Sequence, residues 1–330
     1  MLQLKNTTPF AADIALFPNE QGIDTLYVLA KASFRIGPQW TLLEEQAPLQ
    51  EADQYRDEPV TSSLVAVSDY HPGKPCTDIL MLGKACALEQ RLVTTLDVSL
   101  RVGSLQKVVR VFGSRQWQHG FISNPEPFTT LPMIYENAFG GSVELTNGGI
   151  EQYDRNPVGK GFAGGLSRSQ MDGVALPNLE CPKALVRDIF DQPEPACFAP
   201  RAPNWQPRVA HVGTYDEAWE QTRAPFLPVD YSPRFMNAAH PELIYPSLLQ
   251  GGEPFSISGM HPAGDISGVL PSIRLACRIN HAGTKVSAPF KLETLIFEPN
   301  LLTLSMVWKA QYVCNSGAAR INDVNVSLLR

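Results

Sequence analysis

Strict alternation of apolar and polar residues near both ends of the chain is the feature that most constrains its fold. Apolar side chains occupy every second position from Ala30 to Ile36 and again from Leu96 to Val102. Successive side chains of a strand point to opposite faces of a sheet, so each segment is predicted to be a strand with one buried face. The pattern recurs from Ile273 to Ile279 and from Leu302 to Trp308. We therefore expect strands to dominate both ends.

A hairpin turn is predicted at Gly103 and Ser104, which directly follow the second of these segments. Glycine readily adopts the positive φ that a two-residue hairpin turn requires. The apolar segment 105–112 would then return beside residues 96–102 as an antiparallel strand.

The middle of the chain, about residues 115–250, differs from both ends because it holds 16 of the 28 prolines. Proline fixes φ and lacks a backbone donor, so turns and short elements are predicted here. One short helix should begin at a capping box formed by Thr214 and Glu217. A second should begin at Ser232-Pro233 and end before Pro241. Five aromatic residues are expected to pack this region against the sheets: Trp117, Tyr135, Phe139, Trp205 and Trp219.

Together these patterns predict one mainly β domain that covers residues 1–330. Its core would consist of antiparallel sheets in a sandwich- or barrel-like arrangement. Short helices and a long irregular segment rich in proline and glycine, at about 115–250, would complete this β-rich α+β fold. A chain of 330 residues is long enough to bury a large core.

Charge and composition narrow the classes of function. The formal net charge is −6 and no run of Lys or Arg occurs, whereas a nucleic-acid partner needs a basic stripe. The sequence shows neither a secretory leader nor an apolar run of transmembrane length, so we expect a cytoplasmic protein without a membrane partner. Six widely spaced cysteines favour reduced thiols over a disulfide framework.

The densest polar segment spans residues 69–78 and allows two interpretations. Asp69, His71 and Asp78 could serve a metal-dependent or carboxylate-based hydrolase. Zinc sites, however, usually pair their ligands closely and repeat the pair, and no such repeat is visible. The alternative is a tight loop between two strands, in which Asp69 and Asp78 accept hydrogen bonds from the backbone or from Lys74. We assign no catalytic residue, metal or cofactor.

Two glycine-containing segments also invite a functional interpretation. Residues 156–161 contain Gly159 and Lys160 but lack P-loop spacing, and Phe162 stands where a hydroxyl would be needed, so a shaped turn is predicted. Gly140 and Gly141 follow an aromatic residue. They could form a recognition loop or a place where two backbones approach closely.

Ten short motifs follow one another from about residue 70 to residue 300. They are Lys74-Pro75-x-Thr77-Asp78, Gly113-x-Arg115-x-Trp117, Tyr135-Glu136-x-Ala138-Phe139-Gly140-Gly141, Asn156-Pro157-x-Gly159-x-Gly161, Leu176-Pro177-Asn178-Leu179-Glu180, Gly213-Thr214-Tyr215-Asp216-x-x-Trp219, Pro228-x-Asp230, Asn237-Ala238-Ala239, Gly251-Gly252-Glu253 and Thr294-Leu295-x-x-Glu298-Pro299. In this order they resemble a bacterial family catalogued as domain of unknown function number 2169.

The resemblance implies a role beside type VI secretion genes. Such proteins resemble adaptors or chaperones that hold an effector, or its spike-tip domain, until it is mounted on the secretion spike. On this basis we expect a binding protein rather than an enzyme, with an effector or spike-tip protein as its partner. A permanent structural part of the secretion apparatus is an alternative.

Candidate partner-binding residues come from motifs that combine aromatic residues with glycine turns outside the regular strands. They are Tyr135, Phe139, Gly140, Gly141, Asn156, Pro157, Gly159, Gly161, Tyr215, Asp216 and Trp219. Five further motif residues are candidates for a structural role: Asp69, Lys74, Asp78, Arg115 and Trp117.

Overall fold

The computed structural model describes residues 2–145, 148–314 and 317–329. The strands in the first part of the chain are β1 (Gln3–Asn6), β2 (Ala11–Pro18), β3 (Asp24–Arg35), β4 (Thr41–Leu42), β5 (Gln54–Tyr55), β6 (Leu64–Ala66), β7 (Asp78–Met81), β8 (Lys84–Cys86), β9 (Thr95–Val102), β10 (Leu105–Phe112), β11 (Trp117–Gln118), β12 (Phe121–Ile122) and β13 (Thr130–Pro132). Those in the second part are β14 (Phe139–Gly140), β15 (Ser142–Glu144), β16 (Ile150–Gln152), β17 (Lys160–Gly161), β18 (Leu179–Glu180), β19 (Pro254–Ser258), β20 (Ile266–Val269), β21 (Leu275–His281), β22 (Thr284–Pro289), β23 (Lys291–Glu298), β24 (Thr303–Val313) and β25 (Ile321–Leu328).

Helices are short and few. Residues 2–145, 148–314 and 317–329 contain one α-helix, α1 (Glu217–Thr222). The 3-10 helices cover Leu88–Gln90, Tyr135–Asn137, Arg208–His211, Pro233–Met236, Pro241–Leu243, Pro299–Leu301 and Ala318–Arg320. Strands take 40% of the residues and helices 9%, so the prediction of a mainly β chain is confirmed.

The largest sheet has the strand order β2-β3-β24-β23-β7, and β4 pairs with β3 at one end. Strands β3 and β24 are antiparallel over their whole length, whereas β7 joins β23 in parallel. The expected single buried face is wrong for β3, because Lys31 and Ser33 on its second face are only 7% and 2% exposed. The segment that contains Asp69 covers that face, where Lys31 Nζ lies 3.3 Å from Asp69 Oδ2.

A five-stranded sheet with the order β18-β10-β9-β19-β20 packs on the other face of the largest sheet. In β9 the alternating residues Val98, Leu100 and Val102 are buried, as the sequence pattern predicts. The predicted hairpin is confirmed, since Leu105 pairs with Val102 across a turn whose Gly103 has a φ of +54°. Both sheets contribute side chains to one hydrophobic core, which is the arrangement of a sandwich.

A four-stranded sheet with the order β1-β25-β21-β22 lies beside the N-terminal half of β3. Leu26 and Val28 of β3 pack with Cys277 and Ile279 of β21 in a second, smaller core. In the parts of the chain that the structure describes, none of the sheets closes into a barrel. No described helix is both long enough and apolar enough to cross a membrane.

The region between β10 and β19 consists of two- and three-residue strands, 3-10 helices and α1, as its prolines predict. Ser232 caps the predicted second helix, which is a 3-10 helix over Pro233–Met236. The predicted capping box is wrong. Asp216 caps α1 by accepting a 2.8 Å hydrogen bond from the N–H of Trp219, while the Thr214 hydroxyl bonds Asp230 instead.

Burial of the aromatic residues follows the prediction in four of five positions, but packing against the sheets follows it in only two. Tyr135 and Trp205 belong to the core that the sheets share, whereas Trp117 and Phe139 pack in a separate cluster within residues 117–189. Trp117, Tyr135, Phe139 and Trp205 are at most 2% exposed. The fifth, Trp219, is only half-buried and lies away from the sheets on α1.

Candidate functional site

The polar loop 69–78 ends at the first residue of β7, where Lys74 and Asp78 form a buried ion pair. Lys74 Nζ lies 2.7 Å from Asp78 Oδ2 and donates a 2.9 Å hydrogen bond to the hydroxyl of Thr294. Thr294 is opposite Asp78 in the parallel pairing of β23 with β7, which brings it within reach of the lysine. The predicted hydrogen bond between Lys74 and Asp78 is therefore confirmed.

Asp78 has two further donors, and both come from the irregular middle of the chain. The N–H of Ala238 donates to Oδ2 over 2.8 Å, and the Asn237 side-chain amide donates to Oδ1, also over 2.8 Å. The Asp78 side chain is 0% exposed. A carboxylate that is this fully occupied and buried has no lone pair turned to a substrate or a cation, so the geometry favours the structural role.

Asp69 has a similar environment at the start of the loop. Its Oδ2 lies 3.3 Å from Lys31 Nζ and accepts a 2.8 Å hydrogen bond from the N–H of Gln50. The residue is 6% exposed. Asp69 thus accepts a backbone hydrogen bond, as the structural interpretation of the sequence predicts, and its unpredicted ion pair with Lys31 fastens the loop to β3.

His71 lies in the same loop and contacts a buried ion pair that the sequence did not indicate. Its Nδ1 lies 3.0 Å from Lys309 Nζ and 3.1 Å from the N–H of Gly73, so this nitrogen accepts and the ring is neutral. Lys309 Nζ is also 3.3 Å from Glu293 Oε2. Burial first, and then the positive charge of Lys309, hold the pKa of His71 well below its usual range.

The charge of Lys309 is itself costly to bury. Burial lowers the pKa of this lysine to about 8, while Glu293 opposes the shift. No group of three or more His, Cys, Asp or Glu among residues 2–145, 148–314 and 317–329 is arranged to hold a metal ion. The hydrolase centred on this loop stays a prediction for which the geometry offers no open acid, base or ligand set.

The two glycine motifs meet in one buried junction, where β14 pairs in parallel with β17. Gly140 has a φ of +146°, and a Cβ atom on it would lie 2.1 Å from the carbonyl oxygen of Asn156. The Asn156 side-chain amide donates to the carbonyls of Tyr135 and Phe139 over 2.8 and 2.9 Å. Of the two interpretations for these glycines, the structure favours close approach of two backbones.

Most candidate partner-binding residues of this junction are in the interior. Tyr135, Phe139, Gly140, Gly141, Asn156 and Gly161 are buried, and Pro157 and Gly159 are partly buried. The Tyr135 ring packs edge-on against Trp205 at 5.3 Å, and its hydroxyl accepts a 3.0 Å hydrogen bond from Arg201. These contacts place the junction in the core rather than on a surface that a partner could reach.

Lys160, the residue that suggests a P-loop, also forms hydrogen bonds within the protein. Its Nζ donates to Asn137 Oδ1 over 3.1 Å and to Asn178 Oδ1 over 3.0 Å. Burial lowers the pKa of this lysine. The segment is a shaped turn, as predicted.

Arg115 and Trp117 begin the irregular middle and are buried as well. The Arg115 guanidinium pairs with Glu180, donates a 2.8 Å hydrogen bond to the carbonyl of Pro177, and lies 3.6 Å from the centroid of the Phe112 ring. Burial raises the pKa of Glu180, which Arg115 opposes. Arg115 therefore links residues 112, 177 and 180, and Trp117 packs in a hydrophobic cluster with Phe139 and Met171.

Tyr215, Asp216 and Trp219 differ from all the others because they lie on an exposed segment. Residues 213–232, which we term the aromatic lobe, form a closed loop around α1. The N–H of Ser232 donates to the carbonyl of His211 over 3.0 Å, and Thr214 Oγ1 donates to Asp230 Oδ2 over 2.7 Å. These two contacts close the base of the lobe.

Three large apolar side chains are exposed on the aromatic lobe, beside charged ones such as Glu217 and Glu220. Tyr215 is 51% exposed, Phe226 37% and Val229 90%. The Tyr215 ring lies 4.6 Å from Trp219, whose indole N–H donates a 2.9 Å hydrogen bond to the carbonyl of Phe226. These contacts hold the Tyr215 ring and the backbone at Phe226 in place on an exposed segment.

The lobe is fastened to the sheets at its far side. Arg223 Nη2 donates a 2.9 Å hydrogen bond to the carbonyl of Glu20 in the turn between β2 and β3. Phe226 lies against the same turn, since a Cβ atom on Gly22 would be 3.0 Å from its ring. The sequence pattern does not single out Val229 or Phe226, because neither lies in a periodic segment. The motif Pro228-x-Asp230 flanks Val229 alone.

Comparison with known proteins adds a family but no described function. No curated protein and no solved structure is significantly similar to the chain. The profile of a family described as an uncharacterized protein conserved in bacteria, domain of unknown function 2169, matches residues 21–309. This match includes every motif named above and most of the chain, and the protein therefore belongs to that bacterial family.

Proposed function

We propose that the protein is an adaptor that binds another protein through the aromatic lobe, and that this partner is a type VI secretion effector or its spike-tip domain. The observation that carries the proposal is the exposure of Tyr215, Phe226 and Val229 on one ordered segment. Large apolar side chains that are grouped on a surface commonly mark a protein interface. The nature of the partner rests on the resemblance of the motifs to effector adaptors.

Order within the lobe supports a binding role. Side chains that are already fixed lose little conformational entropy on binding, so more of the contact energy appears as affinity. Trp219 contacts the Tyr215 ring and fixes the backbone at Phe226 through its indole hydrogen bond, and the Phe226 ring lies against Gly22. Tyrosine and tryptophan are also the residue types enriched at energetically dominant interface positions.

The experiment is a co-expression pull-down of this protein with the effector and spike-tip products of its neighbouring genes. We expect a stable complex and a higher yield of soluble effector. The absence of a complex, with an effector that is soluble alone, would overturn the adaptor proposal.

Matched variants test whether the lobe is the binding surface. Tyr215→Ser combined with Val229→Ser should abolish capture of the partner. Phe121→Ser combined with Val60→Ser is the control, because these side chains are 78% and 83% exposed outside the lobe. Equal capture by both double variants would show that the partner binds elsewhere.

A further inference from the structure

A concave cavity of about 400 Å³ opens between the 3-10 helices Arg208–His211, Pro233–Met236 and Pro241–Leu243. Its walls are largely apolar and include Pro207, Ala239, Pro241, Ile244 and Pro246. Small-molecule sites are typically concave and apolar, with a few polar groups that orient the ligand. The polar groups of this cavity are therefore the ones that decide what it binds.

Arg208 lines the cavity and is a buried cation without an ion pair. The residue is 6% exposed, and its guanidinium donates to the carbonyls of Phe235 and Arg201 over 2.8 and 2.7 Å. Among the described residues, no carboxylate forms an ion pair with it. Burial lowers the pKa of Arg208, and the negative charges of Asp53 and Asp78 only oppose this from a distance. A buried charge that lacks a counter-ion is costly unless a ligand supplies one.

Three further basic residues line the same cavity, and their states differ. Arg201 forms an ion pair with Glu194, a carboxylate that also pairs with Arg155. Arg234 is exposed at the rim and His211 is partly buried, and neither forms an ion pair with a described carboxylate. The cavity consequently holds at least two cationic guanidinium groups, Arg208 inside and Arg234 at its mouth, without matching acids.

We propose that this cavity is a binding site for an organic carboxylate. The planar guanidinium of Arg208 uses two of its five N–H groups on carbonyls, which leaves donors for a carboxylate oxygen. The proline, alanine and isoleucine walls suit the apolar body of such an acid. This inference goes beyond the adaptor role and does not depend on it.

An organic acid fits this cavity better than inorganic phosphate. Its apolar walls can cover the body of an organic acid, and inorganic phosphate has no such body to bury. The carboxylate itself has two sources, a free small acid or an acidic side chain of a bound peptide.

The test is isothermal titration calorimetry on the full chain with 3-phenylpropanoate and with its neutral analogue 3-phenylpropanamide. Loss of the charge-assisted hydrogen bonds should make the amide at least about tenfold weaker. Acetyl-Phe-Glu-Phe-amide and its Gln counterpart form the peptide arm. Tighter binding of the free acid assigns a small-molecule source, and tighter binding of the Glu peptide assigns a protein source. Equal binding of acid and amide in both arms, or binding of inorganic phosphate alone, would overturn the proposal.

Variants tie the binding to this cavity. Arg208→Gln should abolish the preference for the acid over the amide, and circular dichroism checks that the variant is folded. Arg234→Gln provides a second test at the exposed rim, where the fold is not at risk, and should weaken acid binding by about threefold or more. Arg278→Gln on β21, also exposed, is the control and should bind as the parent protein does. Unchanged acid binding by Arg234→Gln and a folded Arg208→Gln would place the ligand elsewhere.

Discussion

The backbone N–H of Ala238 donates a 2.8 Å hydrogen bond to Asp78 Oδ2, 160 residues earlier in the chain. The same oxygen is paired with Lys74, so the first strand residue of β7, its preceding loop and the irregular middle meet at one carboxylate. Two of the ten family motifs thus contact each other directly. Because the carboxylate is fully buried, its charge depends on Lys74 for neutralisation.

Replacing Asp78 with Asn is expected to lower the free energy of unfolding by about 3–5 kcal/mol, because Lys74 is left as a buried charge without a partner. Urea denaturation measures the change. The exposed pair of Arg168 and Asp188, 2.8 Å apart, provides the control. Asp188→Asn should cost at most about 1 kcal/mol. Combining Asp78→Asn with Lys74→Met should recover part of the lost unfolding free energy, because the unpaired charge is then removed. If Asp78→Asn costs no more than Asp188→Asn, the buried-pair argument is contradicted.

Gly140→Ala is expected to destabilise the protein by at least about 2 kcal/mol more than Gly173→Ala. Both glycines have positive φ, so both substitutions carry backbone strain of about 1–2 kcal/mol. Only at Gly140 would the new Cβ also meet the carbonyl of Asn156, at 2.1 Å, whereas nothing lies within 4 Å at Gly173. Thermal unfolding of the two variants measures the difference. Equal losses of stability in the two variants would mean that the backbone at the junction of β14 and β17 can shift to accommodate the new Cβ atom.

The sequence was most informative where local pattern and tertiary structure agree. The hairpin of β9 and β10 is predictable because alternation and a turn glycine occur together within 18 residues. The pair of Lys74 and Asp78 was predictable because both lie in one short loop. The exposed lobe was partly indicated by Tyr215 and Trp219, which share a motif.

Other features could not be predicted from the sequence, because they depend on residues that are distant in the chain. Thr214 and Asp216 are both good helix caps, and Asp216 caps α1 because Asp230, 16 residues further on, occupies the Thr214 hydroxyl. The pair of Glu293 and Lys309 requires the register between β23 and β24, which includes a bulge and cannot be read from one sequence. Arg208 was missed for the same reason, since its cavity is formed by three separate 3-10 helices.

Stability should fall as the pH drops below about 6.5, because His71 and His240 stay neutral in the folded protein. Burial is the main cause at both sites, and each pKa is held well below its usual range. Below the pKa that these histidines have in the unfolded chain, the unfolded state binds protons that the folded state does not bind. The stability that the neutral histidines contribute is therefore present above this pH and is lost as the pH falls below it. Each histidine contributes at most about 1.4 kcal/mol per pH unit.

His71→Asn tests this assignment, since its side-chain oxygen can replace Nδ1 as the acceptor for Gly73. Urea unfolding between pH 7 and pH 5 should show a shallower loss of stability in this variant than in the parent. His119→Asn is the control, because the His119 side chain is 85% exposed. A parallel pH profile for His71→Asn and the parent would mean that His71 takes up a proton in the folded state.

The aromatic lobe should contribute little to the stability of the fold. We expect Tyr215→Ala, at a position 51% exposed, to lower the free energy of unfolding by about 1 kcal/mol or less. Trp205→Ala should cost about 3–5 kcal/mol, because this side chain is 2% exposed and packs against Tyr135. Urea denaturation followed by circular dichroism compares the two. If Tyr215→Ala lowers the free energy of unfolding about as much as Trp205→Ala does, the lobe is part of the core. Its aromatic residues would then serve the stability of the fold and not the binding of a partner.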